Sequence, residues 1–541
     1  MLKLATILDN PGEPPTETRF RDPQILKNLG YNGKVIYPTT GLSGLLESET
    51  IESEAMRVWV EGRYDYIDKL IQATRESGLQ VWVNYDAPSL ARELISQSTS
   101  CSHQPDVLCP ASDEMLSISG RCLERMLSRF DPVDGVVLRV GDNDAHRLGY
   151  LVGNDIYSPH CAKCSSVDRI ERLVRYIQFF YNLVVKKLGR SLIVRAWNVR
   201  PGGLHDQPDL CRKLLSKLPK DDKLILSFKF THTDFWRYQA WNPSSLVCGD
   251  RPVIYELQCQ REFEGKGGIP NYQASLWRDG MPECEESIGL AEVSSQVNFA
   301  GVWAWVRGGG WGGPFVTHEN WIDANVWSVP RLADNPTLNV TDLAKTWISD
   351  QLGYRNRSAA EAILQTLENS PTSVLESFYI GPYARLKKDP WYPAGHFIQD
   401  DLLDAEAGWS IVRRLPENVL EEVIHEKQRA VERLARDRHL LQQASSKFGD
   451  STGEGLVNSM LYAESFAEAI RDLISGMVSY RRMQGDDDPG LVRRVQKRLR
   501  ACQSSWNHHT QRYSGYTGTA TAFRSENLWD FTQAILDETI G

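Results

Sequence analysis

Residues 252–268 read PVIYELQCQREFEGKGG. An apolar, β-branched run opens after Pro252 and ends near Gln258, and Glu262 follows in polar sequence just before the glycines at 265–268. A short apolar run closed by polar residues and glycine is the pattern of a buried strand entering a loop. The same layout recurs upstream. LILSFKFTHTDFW (224–236) closes on Lys229, with Asp234 in the loop beyond; SLIVRAWNV (191–199) closes on Arg195; VVLRVGDND (136–144) closes on Arg139, followed at once by Asp142 and Asp144.

Working outward from these segments, eight strands are expected at 2–9, 33–39, 80–86, 135–142, 191–197, 223–230, 252–258 and 301–306. Helical spacing lies between most of them, as at 65–77 (stopped by Gly78), 112–130 and 167–188. Eight strands alternating with helices is the count a (β/α)8 TIM barrel needs; a doubly wound sheet is the competing architecture. The barrel is preferred because the polar residues follow the strands, where a barrel carries its active face. Past residue 355 strand-like runs stop, and helices are expected at 416–447, 455–480, 490–506 and 526–539. The reading is therefore an α/β chain with a (β/α)8 barrel over 1–354 and an all-helical C-terminal domain over 355–541, the latter offering a surface for a homodimer.

Composition narrows the function. The chain has 541 residues and a net charge of −9, with basic residues scattered rather than gathered in a stripe, which argues against nucleic acid and against a polybasic membrane patch. The start, MLKLATILDNPGEPP, has no basic region followed by a sustained apolar run, and no segment approaches the ~20 apolar residues of a membrane span, so a cytoplasmic protein is expected. Ten cysteines then fit free thiols rather than a disulfide framework. Cys161 and Cys164 form a CxxC, with Cys101 and Cys109 upstream; a structural zinc would need about four such ligands to converge, and free thiols with no metal are the preferred reading. Sixteen tryptophans suit a sugar site, where flat rings meet pyranose faces, and equally a large core.

A barrel mouth with Arg139, Arg195 and Lys229 beside several carboxylates suggests hydrolysis of an acidic sugar. Glycoside hydrolysis uses two carboxyl groups, one to protonate the leaving oxygen and one to activate water or attack. Converging cations repel one another unless an anion sits among them, and a sugar carboxylate would serve.

These segments resemble the family 67 glycoside hydrolases, the α-glucuronidases. ELQCQREFEG (256–265) is similar to that family's ELQ-x-x-QEY-x-G segment, and Glu262 falls on its catalytic-base glutamate. Asp234-Phe235 matches the aspartate–phenylalanine of the preceding loop, and Lys229 the lysine upstream of it. Arg195 matches an arginine of the family, and Arg139 stands where the family has a lysine. DANVWSVPRLADNPTLNVTDLAKTWISDQLG (323–353) is similar to the segment after the eighth strand. The resemblance implies an inverting removal of a terminal uronic acid from an oligosaccharide, without cofactor. Arg139, Arg195 and Lys229 would hold the uronate, and Asp234 and Glu262 would position and deprotonate water.

Two departures accompany it. The family has a domain before its barrel, whereas this sequence opens almost at strand one. The family's acid glutamate aligns with Asn143, which cannot donate a proton, so the acid falls to Asp144 or Asp142 beside it. Trp197, Trp311 in the GGGWGG run, and Trp391 in DPWYPAGH are candidate sugar contacts, and the last loop, with His396, is expected to reach the mouth. A barrel glycosidase for another sugar (a different uronidase or a hexosaminidase-like enzyme) and a non-catalytic carbohydrate-binding pseudoenzyme remain the alternatives.

Overall fold

The computed structural model describes the chain apart from residues 10–16, 46–50, 103, 142–148, 155, 158, 196–202, 309–318, 388–393, 400–401, 449–450, 485–487, 514–525 and 541. Eight parallel strands are present: β1 (Leu2–Leu8), β2 (Gly33–Ile36), β3 (Gln80–Asp86), β4 (Gly135–Arg139), β5 (Ser191–Arg195), β6 (Leu224–Lys229), β7 (Pro252–Gln258) and β8 (Asn298–Gly308). Each pairs with its neighbour in sequence, and β8 returns to β1 with Leu4 opposite Trp303 and Thr6 opposite Trp305. This closure excludes the doubly wound sheet, which would leave two edges. The protein is a (β/α)8 barrel followed by a mostly helical remainder.

Around the barrel lie α1 (Pro23–Leu29), α2 (Glu54–Glu76), α3 (Asp113–Arg129), α4 (Arg169–Tyr181), α5 (Pro208–Ser216), α6 (Ala274–Asp279) and α7 (Asn320–Asp334). α2 begins at Glu54 rather than Asp65, because Ser53 caps it by accepting a hydrogen bond from the Met56 amide. The expected helix to 188 becomes α-helical only to Tyr181 and continues as a π-helical turn over Asn182–Lys187. The β6–β7 connection has no α-helix, only a 3-10 turn at Pro243–Val247.

Period-two alternation divides the barrel interior into two levels. Leu4, Val35, Trp82, Val137, Ile193, Ile225, Ile254 and Trp303 pack together as an apolar plug. Two residues further along the same strands the inward positions turn polar: Asn84, Arg139, Arg195, Ser227 and Glu256, all buried. Asp86, Lys229 and Gln258 continue that polar level on β3, β6 and β7. The sequence thus builds a dry base and a charged floor under the C-terminal rim.

The helical remainder comprises α8 (Val340–Asp350), α9 (Arg357–Phe378), α10 (Leu420–Ala444), α11 (Ser451–Met483), α12 (Pro489–Tyr513) and α13 (Glu526–Ile540), with shorter helices between α9 and α10. Asn339 caps α8 by accepting from the Asp342 amide at 3.0 Å, so the Asn-Val-Thr sequence there is a helix start. A short antiparallel pair, Ile398–Gln399 with Leu402–Leu403, lies among these helices; two residues a side are too few to show strand periodicity in the sequence. Trp321, Trp347, Phe378 and Phe466 belong to one buried apolar cluster, so the core runs from the outer layer of the barrel into these helices. Among the described residues no helix is long and apolar enough to cross a membrane.

Candidate active site

Arg139, Arg195 and Lys229 close β4, β5 and β6, and all three side chains are buried at the C-terminal rim. Register explains their convergence: Asp86 lies opposite Arg139, Arg139 opposite Arg195, and Lys229 opposite Glu256. The chain itself supplies each cation with a carboxylate. Arg139 Nη1 is 3.7 Å from Asp86 Oδ1 and donates to the Tyr37 hydroxyl at 2.8 Å. Arg195 Nε donates to both oxygens of Glu256 at 3.0 Å. Lys229 Nζ donates to Asp234 Oδ1. A fourth buried cation, Arg307 at the end of β8, meets Glu319 at 3.0 Å, and burial lowers its pKa to about 10. This corrects a premise drawn from sequence: the cations need no substrate anion to offset their repulsion, because inward carboxylates at Asp86, Glu256 and Asp234 already do so.

Trp305 forms the centre of the floor. Its ring is 4.6 Å from the Arg195 guanidinium, 5.4 Å from Lys229 Nζ and 5.3 Å from the Phe235 ring. Indole faces beside cations contribute a favourable quadrupole interaction. Lys229 Nζ also sits 4.1 Å from the Phe235 centroid, and burial pushes its pKa down against the opposing pull of Asp234.

Asp234 lies on an excursion after β6 that folds back where Thr231 bridges Trp241. Its Oδ1 accepts from the Phe235 amide at 2.9 Å as well as from Lys229. An oxygen already accepting a charge-assisted hydrogen bond suits a base or a partner for positive charge better than a proton donor. Glu262 lies after β7, where Gln258 Oε1 accepts from its amide at 3.1 Å and so fixes the loop against the strand end. Trp236 and Phe263, neighbours in sequence of these two loops' carboxylates, have ring centroids 4.4 Å apart. The two loops therefore meet through aromatic packing.

The structure separates Glu262 from Glu264. Glu264 accepts from Arg261 at 2.9 and 2.8 Å, from Asn271 at 2.6 Å and from the Tyr379 hydroxyl at 3.0 Å. Burial alone would raise its pKa, but Arg261 overrides this and holds the carboxyl below its usual range. Glu264 thus holds the loop to the helical part of the chain, while Glu262, two residues earlier, is buried beside the end of β7. His396, the last residue of DPWYPAGH, packs its ring 5.8 Å from Trp236 and so approaches the β6 loop, while residues 389–393 lie outside the described residues. Burial pushes that imidazole down to about 4.

Asp142, Asn143, Asp144, Trp197, Trp311 and Trp391 lie outside the described residues. Asp86, Glu256, Arg307, Tyr37 and Trp305 were missed by the sequence reading. Their signal was present as alternation: W-V-N-Y-D in β3, E-L-Q in β7 and W-A-W in β8 put them on the same face as apolar residues of the plug. Cavities lie both beside this floor and at the opposite end of the barrel. One of about 30 Å³, lined by Phe235, Trp236, Glu256 and Trp277, has room for little more than a water; one of about 580 Å³ opens at the N-terminal end of the barrel, where Leu2, Gln80 and Pro252 begin their strands.

Comparison with solved structures gives the fold its counterpart. A GH138 enzyme targeting pectin rhamnogalacturonan II superposes with a TM-score of 0.59 at 12% identity, over 99% of this chain and 83% of that one. The chain shares its fold with a glycoside hydrolase. An O-GlcNAc hydrolase of Thermobaculum terrenum (TM-score 0.47, 12% identity, 100% of this chain and 95% of that one) and CpGH84B (0.45, 8%, 99% and 76%) are more distant and add nothing to the argument. No family model matches the sequence, and no curated protein does. The likeness to family 67 therefore rests on the segments quoted above.

Proposed function

We propose that this protein is a glycoside hydrolase that removes a terminal uronic acid from an oligosaccharide, with Glu262 as base and Asp234 beside it. One observation carries the reading: the two carboxylates fall on adjacent rim loops that pack through Trp236 and Phe263, above a floor of Lys229, Arg195 and Trp305. Five residues singled out by the family 67 resemblance thus lie at one end of one barrel. Glu262 would deprotonate the attacking water, and Asp234, held by Lys229, would position it and face positive charge developing at the anomeric carbon. The proton for the leaving oxygen would come from Asp144 or Asp142, after β4. The fold counterpart acts on a pectic glycan, which supports a glycan substrate. The proposal includes a homodimer formed through the C-terminal helices.

The internal pairing of the rim cations favours a second reading, a barrel glycosidase for a neutral sugar. Lys229 would then order Asp234 rather than hold a uronate. Paired aryl uronides and neutral aryl glycosides, with NMR detection of the released anomer, separate the two. Hydrolysis of the uronide with inversion is expected; turnover of the neutral glycoside alone overturns the uronate, and binding without turnover of either overturns the hydrolase.

A further inference from the structure

Four cysteines stand apart from this site. Cys101 and Cys109 lie in the connection after β3, Cys161 and Cys164 in the connection after β4. Cys101 ends one strand of a short hairpin, Ser100–Cys101 with Gln104–Leu108, and Cys109 follows directly on the other strand. Cys161 caps the single helical turn Ala162–Ser165 that contains Cys164. Some sixty residues apart in sequence, the two pairs meet with all four sulfurs within 4.8 Å of one another.

The distances discriminate between chemistries. Cys161 and Cys164 sulfurs are 3.4 Å apart, Cys109 and Cys161 3.7 Å, and Cys101 and Cys164 4.0 Å. A disulfide needs about 2.05 Å, so none of these pairs is bonded. Four sulfurs held about 2.3 Å from a central ion have tetrahedral edges of about 3.8 Å, and the three distances scatter around that value. Backbone amides also aim at the sulfurs: those of His160 and Cys161 donate to Cys164 Sγ at 3.1 and 3.2 Å. Amide donors suit a thiolate far better than a thiol, which is a weak acceptor.

The surroundings complete the arrangement. Val107, Ala111 and Val167 pack around the cysteines, of which Cys101, Cys109 and Cys164 are buried and Cys161 partly so. Arg172 donates to the carbonyls of Cys164 and Val167 at 2.7 Å, and of Ile156 and Tyr157 at 3.2 and 3.1 Å, which fixes the backbone that presents the second pair. We infer that Cys101, Cys109, Cys161 and Cys164 bind one zinc ion as a closed structural tetrathiolate, clamping the β3 connection to the β4 connection. A site with four protein sulfurs leaves no open position, so its role is to hold structure. The inference is independent of the glycosidase reading.

The test uses the full-length protein, produced in zinc-supplemented medium without a histidine tag and desalted. Mass-spectrometric metal analysis should find one zinc per chain, released in step with four thiols as an organomercurial is titrated. Exchange with cobalt(II) should give the intense visible bands and sulfur-to-metal charge transfer of a tetrahedral tetrathiolate. Cys109→Ser and Cys161→Ser should each lower zinc below about 0.2 per chain. Should these variants fail to fold, stoichiometry and cobalt spectrum of the unaltered chain still decide. Absence of zinc with four free thiols, two disulfides by intact mass, or iron in its place would each overturn the assignment.

Discussion

Arg195 on β5 reaches across β6 to Glu256 on β7, its Nε 3.0 Å from both carboxylate oxygens, while Ser227 of the strand between donates to the same carboxylate at 2.9 Å. Both charges are almost wholly removed from solvent. Removing one member leaves the other buried and uncompensated, which costs about 3–5 kcal/mol, whereas replacing both with apolar residues is often near neutral. Glu256→Leu should therefore lower unfolding stability by about that much, and Arg195→Met with Glu256→Leu should restore most of it. Chemical denaturation of the two variants checks the coupling; equal losses in both would show that the pair acts through packing alone.

Glu262 and Glu264 should separate cleanly. Glu262→Gln is expected to lower kcat by about 10³-fold, because it removes the proposed proton acceptor while keeping the side chain's size and shape. Glu264→Gln is expected to lower the melting temperature through loss of its pairing with Arg261. Near-full turnover in Glu262→Gln would remove its role as base.

His509 gives a signed pH prediction. Its imidazole is enclosed by Tyr462, Phe466, Trp506 and Tyr513, and burial, with His508 nearby, pushes its pKa to about 3. In the unfolded chain a histidine titrates near 6.5, so below that pH the unfolded state binds a proton that the native state refuses. Its contribution is complete above pH ~6.5 and is lost progressively as pH falls toward about 3. His509→Phe should flatten the stability profile across that window, as read by urea unfolding at several pH values. An unchanged slope would show that the buried ring is not the titrating group.

Barrel closure rests on a glycine. Gly301 has φ +142°, and a Cβ there would lie 1.9 Å from the Leu2 carbonyl oxygen and within 3 Å of further Leu2 backbone. The neighbour is backbone of β1 and cannot rotate away. Gly301→Ala should therefore destabilise the fold by more than about 2 kcal/mol, measured by thermal unfolding and by amide exchange in β1 and β8. Wild-type stability would mean that the β1 backbone yields freely to the added methyl.

The eight strands were legible because a parallel strand buried on both faces is a continuous apolar run, which local sequence reports directly. The strands expected at 80–86 and 252–258 match β3 and β7 residue for residue. The expected β4 ran past Arg139, where the strand closes, since strand propensity continues past the last ladder hydrogen bond, and the expected end of β5 at 196–197 lies outside the described residues. Of the site, the cations at strand ends stood out as charges in apolar sequence. Trp305 and Glu256 did not, because an inward and an outward residue look alike until register assigns the face.

Sequence by itself determined the barrel, the helical remainder and the rim positions of Arg139, Arg195, Lys229, Asp234 and Glu262, since periodicity and strand order are properties of neighbouring residues. Tertiary structure decided how those charges balance and where the cysteines go. Pairing of Arg195 with Glu256, and the meeting of Cys101 and Cys109 with Cys161 and Cys164, join residues far apart in the chain. Such contacts are set by strand register and loop path, and no local pattern encodes them.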